Sequence, residues 1–352
     1  MLRKIDWERQ VGRRFTLRDL HVFSTVVQRG SMAKAAQELG VSQPAISEAV
    51  ADLEHVLGVR LLDRHPQGIE PTDYGRALLK RSVAVFDELR HGIQDIESLS
   101  DPAAGELRIG CSESIAAFLS LIVRGFCNQR PRVSLHVSHI LPPWDREVSE
   151  LRDRRFDLIL GRRLIGAPTR RDILSEDVNA EHLFDDRLVV AVGMRSPLAH
   201  RRKIELADLV RERWILPDAA WNAAGMTEAF QDIGLDLPKA SLVTFSIPLR
   251  MELMATGEYV TALPQSIANR YGLKILPVAL PARPWSLAIM TLKNRTLSPT
   301  VERFIEYVRD HTAPLRANQP HRFTSHRPSP LHPRPAGVRR TPASSGSPGP
   351  RA

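Results

Sequence analysis

The chain has 352 residues, 43% hydrophobic and 25% charged, the balance of a soluble globular protein with room for more than one core. No apolar run approaches the roughly eighteen residues of a membrane span, and the first residues, MLRKIDWERQVGRRFTL, lack the apolar stretch of a secretory signal. Cys111 and Cys127 form neither a metal spacing nor a disulfide framework, so a cytoplasmic, reduced protein is expected. The formal charge of +9 sits at the ends: residues 313–352 hold seven Arg and no acid, and residues 1–14 hold five basic and two acidic residues. Between positions 15 and 75 five basic residues face eight acidic ones, so net charge alone gives no argument for DNA binding there.

Residues 1–14 form a polar, basic arm that either tracks phosphates or reflects an upstream start codon. A first helix is predicted from Leu17 to Gln28, with Leu20, Phe23 and Val27 as its buried stripe. Gly30 stops it, and Ser31 caps a short second helix, Met32–Leu39, in which Ala35 and Ala36 let a neighbour approach. Gly40 supplies a left-handed turn, Val41 a buried plug and Ser42 the next cap. The third helix, Gln43–Leu57, carries Ile46, Val50, Leu53 and Leu57 on one face, which leaves Gln43 and Ser47 together on another, with Pro44 in the first turn. Val59–Arg64 then reads as a strand, His65–Gly68 as a turn and Ile69–Pro71 as its return, a wing with Arg64 near the tip. A plain three-helix bundle with solvated polar positions competes for any one helix pair. The combined spacing of small residue, glycine, cap and apolar plug, followed by a wing, favours a helix-turn-helix whose third helix enters the major groove. Gln pairs bidentately with adenine, and Ser and Arg serve bases or phosphates.

The segment LRDLHVFSTVVQRGSMAKAAQELGVSQPAISEAVADLEHVLGVRLLDR, followed by PTDYGRALL, closely resembles the N-terminal domain of LysR-type transcriptional regulators. The resemblance implies a winged helix-turn-helix, a helical dimerisation linker and a C-terminal two-lobed domain resembling periplasmic binding proteins. Carried over by position, Ser31, Ser42, Gln43, Pro44, Ser47 and Arg64 are the implied DNA contacts. The implied partners are a double-stranded DNA operator, a small-molecule effector, further copies of the chain as a homodimer or homotetramer, and RNA polymerase. No cofactor, metal or membrane is implied. One departure is Glu48, at a position often basic in the family. It either faces the groove, repelling phosphate or accepting from a cytosine amino group, or points sideways to solvent.

Thr72 caps a long helix over 73–100. Leu79, Phe86 and Ile93 recur every seven residues, with Leu89 and Ile96 three further on, a seam that asks either for a second copy or for the chain's own domain. Asp101-Pro102-Ala103-Ala104-Gly105 is a linker signal. From 106 to 311 strand-like segments alternate with helical ones, which predicts an α/β effector-binding domain of two lobes with mostly parallel sheets. The expected domains are therefore 1–14, 15–72, 73–100, 106–311 and a disordered, Pro-rich basic tail over 313–352.

The strand ending at Cys111 feeds a helix near Ile115, the kind of junction where amides and hydroxyls converge on small ligands. Ser112 and Ser114 are candidate effector-binding residues, or simply helix caps. Glu113, if it faces inward, suits a hydroxylated or amine-bearing compound better than a carboxylate. Pro217 and Ser246 occupy strand-to-helix mouths in the second lobe. Arg162 either binds an anion or is solvated. His136 and His139, three apart on a strand, face opposite sides and cannot share a metal. Catalytic signatures such as G-x-S-x-G, G-K-[ST] and H-E-x-x-H are absent, so no enzymatic function is expected. The competing functions are a small-molecule binding protein without regulatory role and a redox sensor through Cys111, placed at a helix N-terminus where a thiolate is stabilised.

Overall fold

The computed structural model describes residues 14–141, 145–164, 177–217, 226–278, 280 and 285–317. The arm before Arg14 and the chain after Ala317 lie outside the described residues.

Helices α1 (Leu17–Arg29), α2 (Met32–Leu39) and α3 (Gln43–Leu57) open the chain. Thr16 and Asp19 form a reciprocal capping box at α1. Ser31 and Ser42 each accept an amide of the following turn, while Gly30 and Gly40 take left-handed conformations at the helix ends. Phe23, Val26, Ala35, Ile46, Val50 and Leu53 close a small core. The wing is shorter than the sequence indicates: β1 (Leu62–His65) pairs antiparallel with β2 (Gly68–Pro71). The amides of Leu61 and Leu62 are bound at 2.6 and 3.1 Å by the Glu54 carboxylate, so the segment before Leu62 wraps the end of α3 instead of pairing as a strand.

Thr72 caps α4 (Asp73–Ser100). Gly75 lies so close to the wing that a Cβ there would stand 2.1 Å from the Leu61 carbonyl oxygen. Only glycine allows this contact, and the wing is thereby locked to the start of the long helix.

Lobe I contains β3 (Ala104–Cys111), α5 (Glu113–Gln129), β4 (Arg132–His139), α6 (Asp145–Arg152), β5 (Leu158–Leu164) and β6 (Val178–Asp186). The chain then enters lobe II through β7 (Leu188–Val192), β8 (Arg213–Leu216), α7 (Met226–Gln231), β9 (Ala240–Val243), α8 (Ile247–Ala255), β10 (Tyr259–Pro264), α9 (Gln265–Arg270) and β11 (Lys274–Ile275). It returns to lobe I with β12 (Trp285–Leu292) and α10 (Pro299–Ala317). The sheet orders are β4-β3-β5-β12-β6 and β11-β7-β10-β8-β9.

Neither sheet is mostly parallel. β3 runs parallel to β4 and β5, but β12 is antiparallel to both β5 and β6. In lobe II, β8 is parallel to β9 and β10, and β7 antiparallel to β10 and β11. Among the described strands, the antiparallel member of each sheet is the one by which the chain enters it from the other lobe, β12 in lobe I and β7 in lobe II. β6, with the sequence VNAEHLFDD, carries too many polar residues to be recognised as a strand by pattern. It sits at a sheet edge, where one side of the strand is left wet.

The start of the tail is also corrected. α10 continues through Pro314 to Ala317 because Thr312 is fully buried and Arg316 donates to the carbonyls of Leu183, at 2.9 Å, and His182. Arg316 is thus held on β6 and is not free tail charge.

Candidate DNA-reading face and ligand cleft

Two surfaces gather the residues with binding chemistry. The first is the N-terminal turn of α3. Gln43 and Pro44 are exposed and Ser47 half-buried, flanking the buried stripe of Ile46, Val50 and Leu53. Ser31 and Ser42 use their oxygens as caps, which leaves each hydroxyl hydrogen available to donate outward. Arg64 is exposed on β1 and pairs in register with Ile69. The amide of Ile69 donates at 3.0 Å to the Gly30 carbonyl, fixing the wing beside the turn that precedes α2. Glu48 is exposed, one position beyond Ser47.

The second surface is a cavity of about 70 Å³ between the lobes. Ser112, Glu113, Ser114, His139, Glu147 and Arg162 line it from lobe I, and Pro217, Phe245, Ile247, Arg250 and Pro264 are among the residues across from them. Of the effector residues expected from sequence, the structure brings Ser112, Glu113, Ser114 and Pro217 together there. Ser246 does not line the cavity: it caps α8, accepting from the Leu249 amide at 3.4 Å, between two neighbours that do line it. Ser112 occupies the cap position of α5 without making a side-chain cap bond, and its hydroxyl lies 3.2 Å from that of Ser114. Ser114 in turn accepts from Arg162. Arg162 is not a solvated arginine. Its guanidinium lies 4.5 Å from the Trp285 ring centroid, and burial lowers its pKa to about 10 against the opposing field of Glu147.

Cys111, Glu147 and Arg250 have their chemistry set by tertiary packing. Cys111 is fully buried at the end of β3, where burial first and the nearby Glu147 second push its thiol up to about 12. A buried thiol in that state is not a reactive thiolate, so the redox-sensor expectation is not favoured. Burial raises Glu147 to about 8, with Arg162 pulling the other way. Arg250 reaches in from α8 and donates through Nη2 to Thr261 Oγ1 and, at 2.8 Å, to the Ala262 carbonyl. Glu147 and Arg250 carry no motif, and only a fold placing 147 and 250 at one cavity exposes them as site residues. His139 lines the cavity, whereas His136 on the same strand lies 3.5 Å from Glu106.

A third cluster joins the long helix to lobe I. Asp87 and His91 on α4 are buried against Asp157, and their ligand-type atoms lie within 4.8 Å of one another. That spacing would suit a metal, but guanidiniums surround the carboxylates instead. Arg295 Nε lies 2.7 Å from Asp87 and its Nη2 2.6 Å from Asp157; Arg90 and Arg108 bridge both aspartates, and Arg154 reaches Asp87 and Glu88. The polar face of α4 is thus fastened to its own lobe I, while Leu89, Ile93, Ile96 and Leu99 on the apolar seam remain 45%, 58%, 66% and 84% exposed.

A winged helix-turn-helix fastened by a long helix to a two-lobed domain with a cavity between its lobes defines a DNA-binding regulator equipped to sense a small molecule. The family "Bacterial regulatory helix-turn-helix protein, lysR family" matches residues 17–76, and "LysR substrate binding domain" matches residues 100–313. The HTH-type transcriptional regulator TdcA of Escherichia coli (strain K12) is 25% identical over 310 residues, covering 84% of this chain and 92% of its own. The RuBisCO operon transcriptional regulator of Allochromatium vinosum is 31% identical over 217 residues, 61% of this chain and 68% of its own. In fold the chain is similar to full-length OxyR from Pseudomonas aeruginosa, with a TM-score of 0.57, 20% identity, and coverage of 85% of this chain and 94% of that one. It is similar also to CbnR, a LysR family transcriptional regulator, with a TM-score of 0.56, 21% identity, and coverage of 85% and 99%. The chain belongs to the LysR family of transcriptional regulators. It is a DNA-binding transcriptional regulator with a substrate-binding domain, and a binding protein without regulatory role is not favoured. No helix among the described residues is long and apolar enough to cross a membrane.

Proposed function

We propose that this regulator reads its operator as a dimer through Gln43 and Ser47, with Ser31, Ser42, Pro44 and Arg64 positioning the backbone, and that a small molecule held between the lobes at Ser112, Glu113, Ser114 and Pro217 switches it. Its action is binding without catalysis, and at a promoter the assembly contacts RNA polymerase. The observation that carries this reading is the buried aspartate–arginine cluster of α4. Because the long helix is fastened to lobe I, a ligand that changes how lobe II sits on lobe I acts on a body continuous with the DNA-reading helices. The exposed seam from Leu89 to Leu99 supports the dimer, since a lone helix with that face leaves it in water.

The test is a genome-wide pull-down of bound DNA, followed by footprinting of the recovered site with a Gln43→Ala/Ser47→Ala double variant. Losing a bidentate base contact costs about 1–3 kcal/mol, so the variant loses sequence preference while its melting temperature and ligand response stay unchanged. Absence of any sequence-preferring binding by the unaltered protein in moderate salt, with and without ligands, refutes the reading.

A further inference from the structure

Resting on the cleft reading above, we infer that the effector is a small organic acid whose carboxylate is received by Arg250 and whose second oxygen faces Glu147. Arg250 is 3% exposed, and of its five N–H donors only those on Nη2 have acceptors among the described residues. Among the described residues Nε is buried with no partner, and Nη1 makes no hydrogen bond. Glu113 lines the same cavity and supports the charge of Arg250 through its field, yet makes no ion pair with it. Burial lowers Arg250 only to about 10, so it stays cationic at neutral pH. A buried guanidinium with unmet donors is stabilised most by a planar oxyanion that accepts from two of them at once. The field of Arg250 also offsets Glu113, which removes the objection to a carboxylate ligand raised by the sequence.

Glu147 supplies the second end. It is 4% exposed, lines the cavity, and its carboxyl makes no hydrogen bond among the described residues. Among the described residues, the charged and titratable groups around it are Cys111 at the end of β3, Arg162 on β5, and Glu113, His139 and Arg250 on the cavity wall; Glu150 on its own helix is paired with Arg146 and Arg155. With its pKa near 8, Glu147 is protonated at neutral pH and offers an O–H to a ligand oxygen. Phe245, Ile247 and Pro264 give apolar wall for a carbon skeleton, which an inorganic anion lacks. An ammonium ligand would face Arg162 and Arg250 and is disfavoured.

The proton on Glu147 gives the inference a sign. An anion bound beside it raises its pKa further, so binding takes up protons and affinity falls as pH rises through about 8. A cation would show the reverse. The experiment is isothermal titration calorimetry on the full chain, in two buffers of different ionisation enthalpy. The probes are pyruvate, malonate and succinate, with sulfate, ethanolamine and glycerol alongside. At least one carboxylate is expected to bind with proton uptake. Arg250→Gln should weaken it by about tenfold or more, and Arg250→Lys by less. Glu147→Gln should bind but lose the proton uptake and the pH dependence. Circular dichroism melts show whether each variant folds, and the two isosteric or charge-conserving changes keep the test meaningful if Arg250→Gln does not. Binding of ethanolamine, glycerol or sulfate alone, lost on Ser112→Ala, overturns the organic acid and leaves the cleft standing. A carboxylate that binds equally well to all these variants refutes the cleft itself. No binding by any carboxylate overturns the inference.

Discussion

Replacing Arg295 by Met tests whether α4 is clamped to lobe I. The side chain is fully buried and makes five contacts: Nε and Nη2 with Asp87 at 2.7 and 2.8 Å, Nη2 with Asp157 at 2.6 Å and with His91 Nε2 at 3.2 Å, and Nη1 with the Phe156 carbonyl at 2.7 Å. Methionine roughly fills the volume of the stem but removes the only fully buried guanidinium described in the cluster, leaving Asp87 and Asp157 to share the partly exposed Arg90 and Arg108, with Arg154 on Asp87. Removing one member of a buried ionic cluster costs about 3–5 kcal/mol. For a domain of this size that is a fall in melting temperature of about 6–20 °C. Acid behaviour gives an independent check. Burial opposes ionisation of Asp87, but Arg90, Arg295 and Arg154 outweigh it and hold the group at about 2, down from 3.8. Asp157 is lowered still further, with burial again opposing and His91, Arg108 and Arg295 prevailing. A carboxylate depressed in the folded state stabilises fully above its unfolded pKa and loses that contribution as pH falls through the folded one. Asp87 alone accounts for roughly 2–3 kcal/mol, lost between about pH 4 and pH 2. Calorimetric melts of the two proteins from pH 7 to pH 2 should therefore start far apart and converge as the pH falls. A loss under about 1 kcal/mol at pH 7, or a gap between the proteins that stays constant down to pH 2, refutes the clamp.

Gly75→Ala drives a Cβ into the Leu61 carbonyl and should cost about 1–3 kcal/mol, with operator affinity in gel-shift titrations falling before the sensor domain melts. Cys111, its thiol held near 12, should resist alkylation at pH 8 in the folded chain and react only after denaturation, as mass spectrometry will show. Ile93→Asp puts a charge in the middle of the exposed seam and should shift the protein towards monomer in sedimentation velocity, while its folded circular dichroism spectrum is unchanged. A dimer as tight as the unaltered protein would place the interface elsewhere.

The helix-turn-helix was legible in the sequence because its determinants are local. A cap three residues before the amide it binds, a glycine at a left-handed turn and an apolar stripe at helical spacing need no distant partner, and Ser31, Gly40, Ser42 and Ile46 occupy the expected positions. The two-lobed α/β plan was legible for the same reason, through the alternation of apolar strands and amphipathic helices. The seam on α4 was half-legible: Leu89, Ile93 and Ile96 follow a heptad, but nothing near Asp87 announces a partner 208 residues away in Arg295. The same limit applies to the cleft. The Ser112–Ser114 junction announces itself by its place between strand and helix, whereas the roles of Glu147, Arg162 and Arg250 arise from burial, which linear spacing does not encode. Cys111 shows this most directly. A strand end before a helix favours a thiolate, and the packing of lobe I removes the water and adds the buried acid that together forbid it.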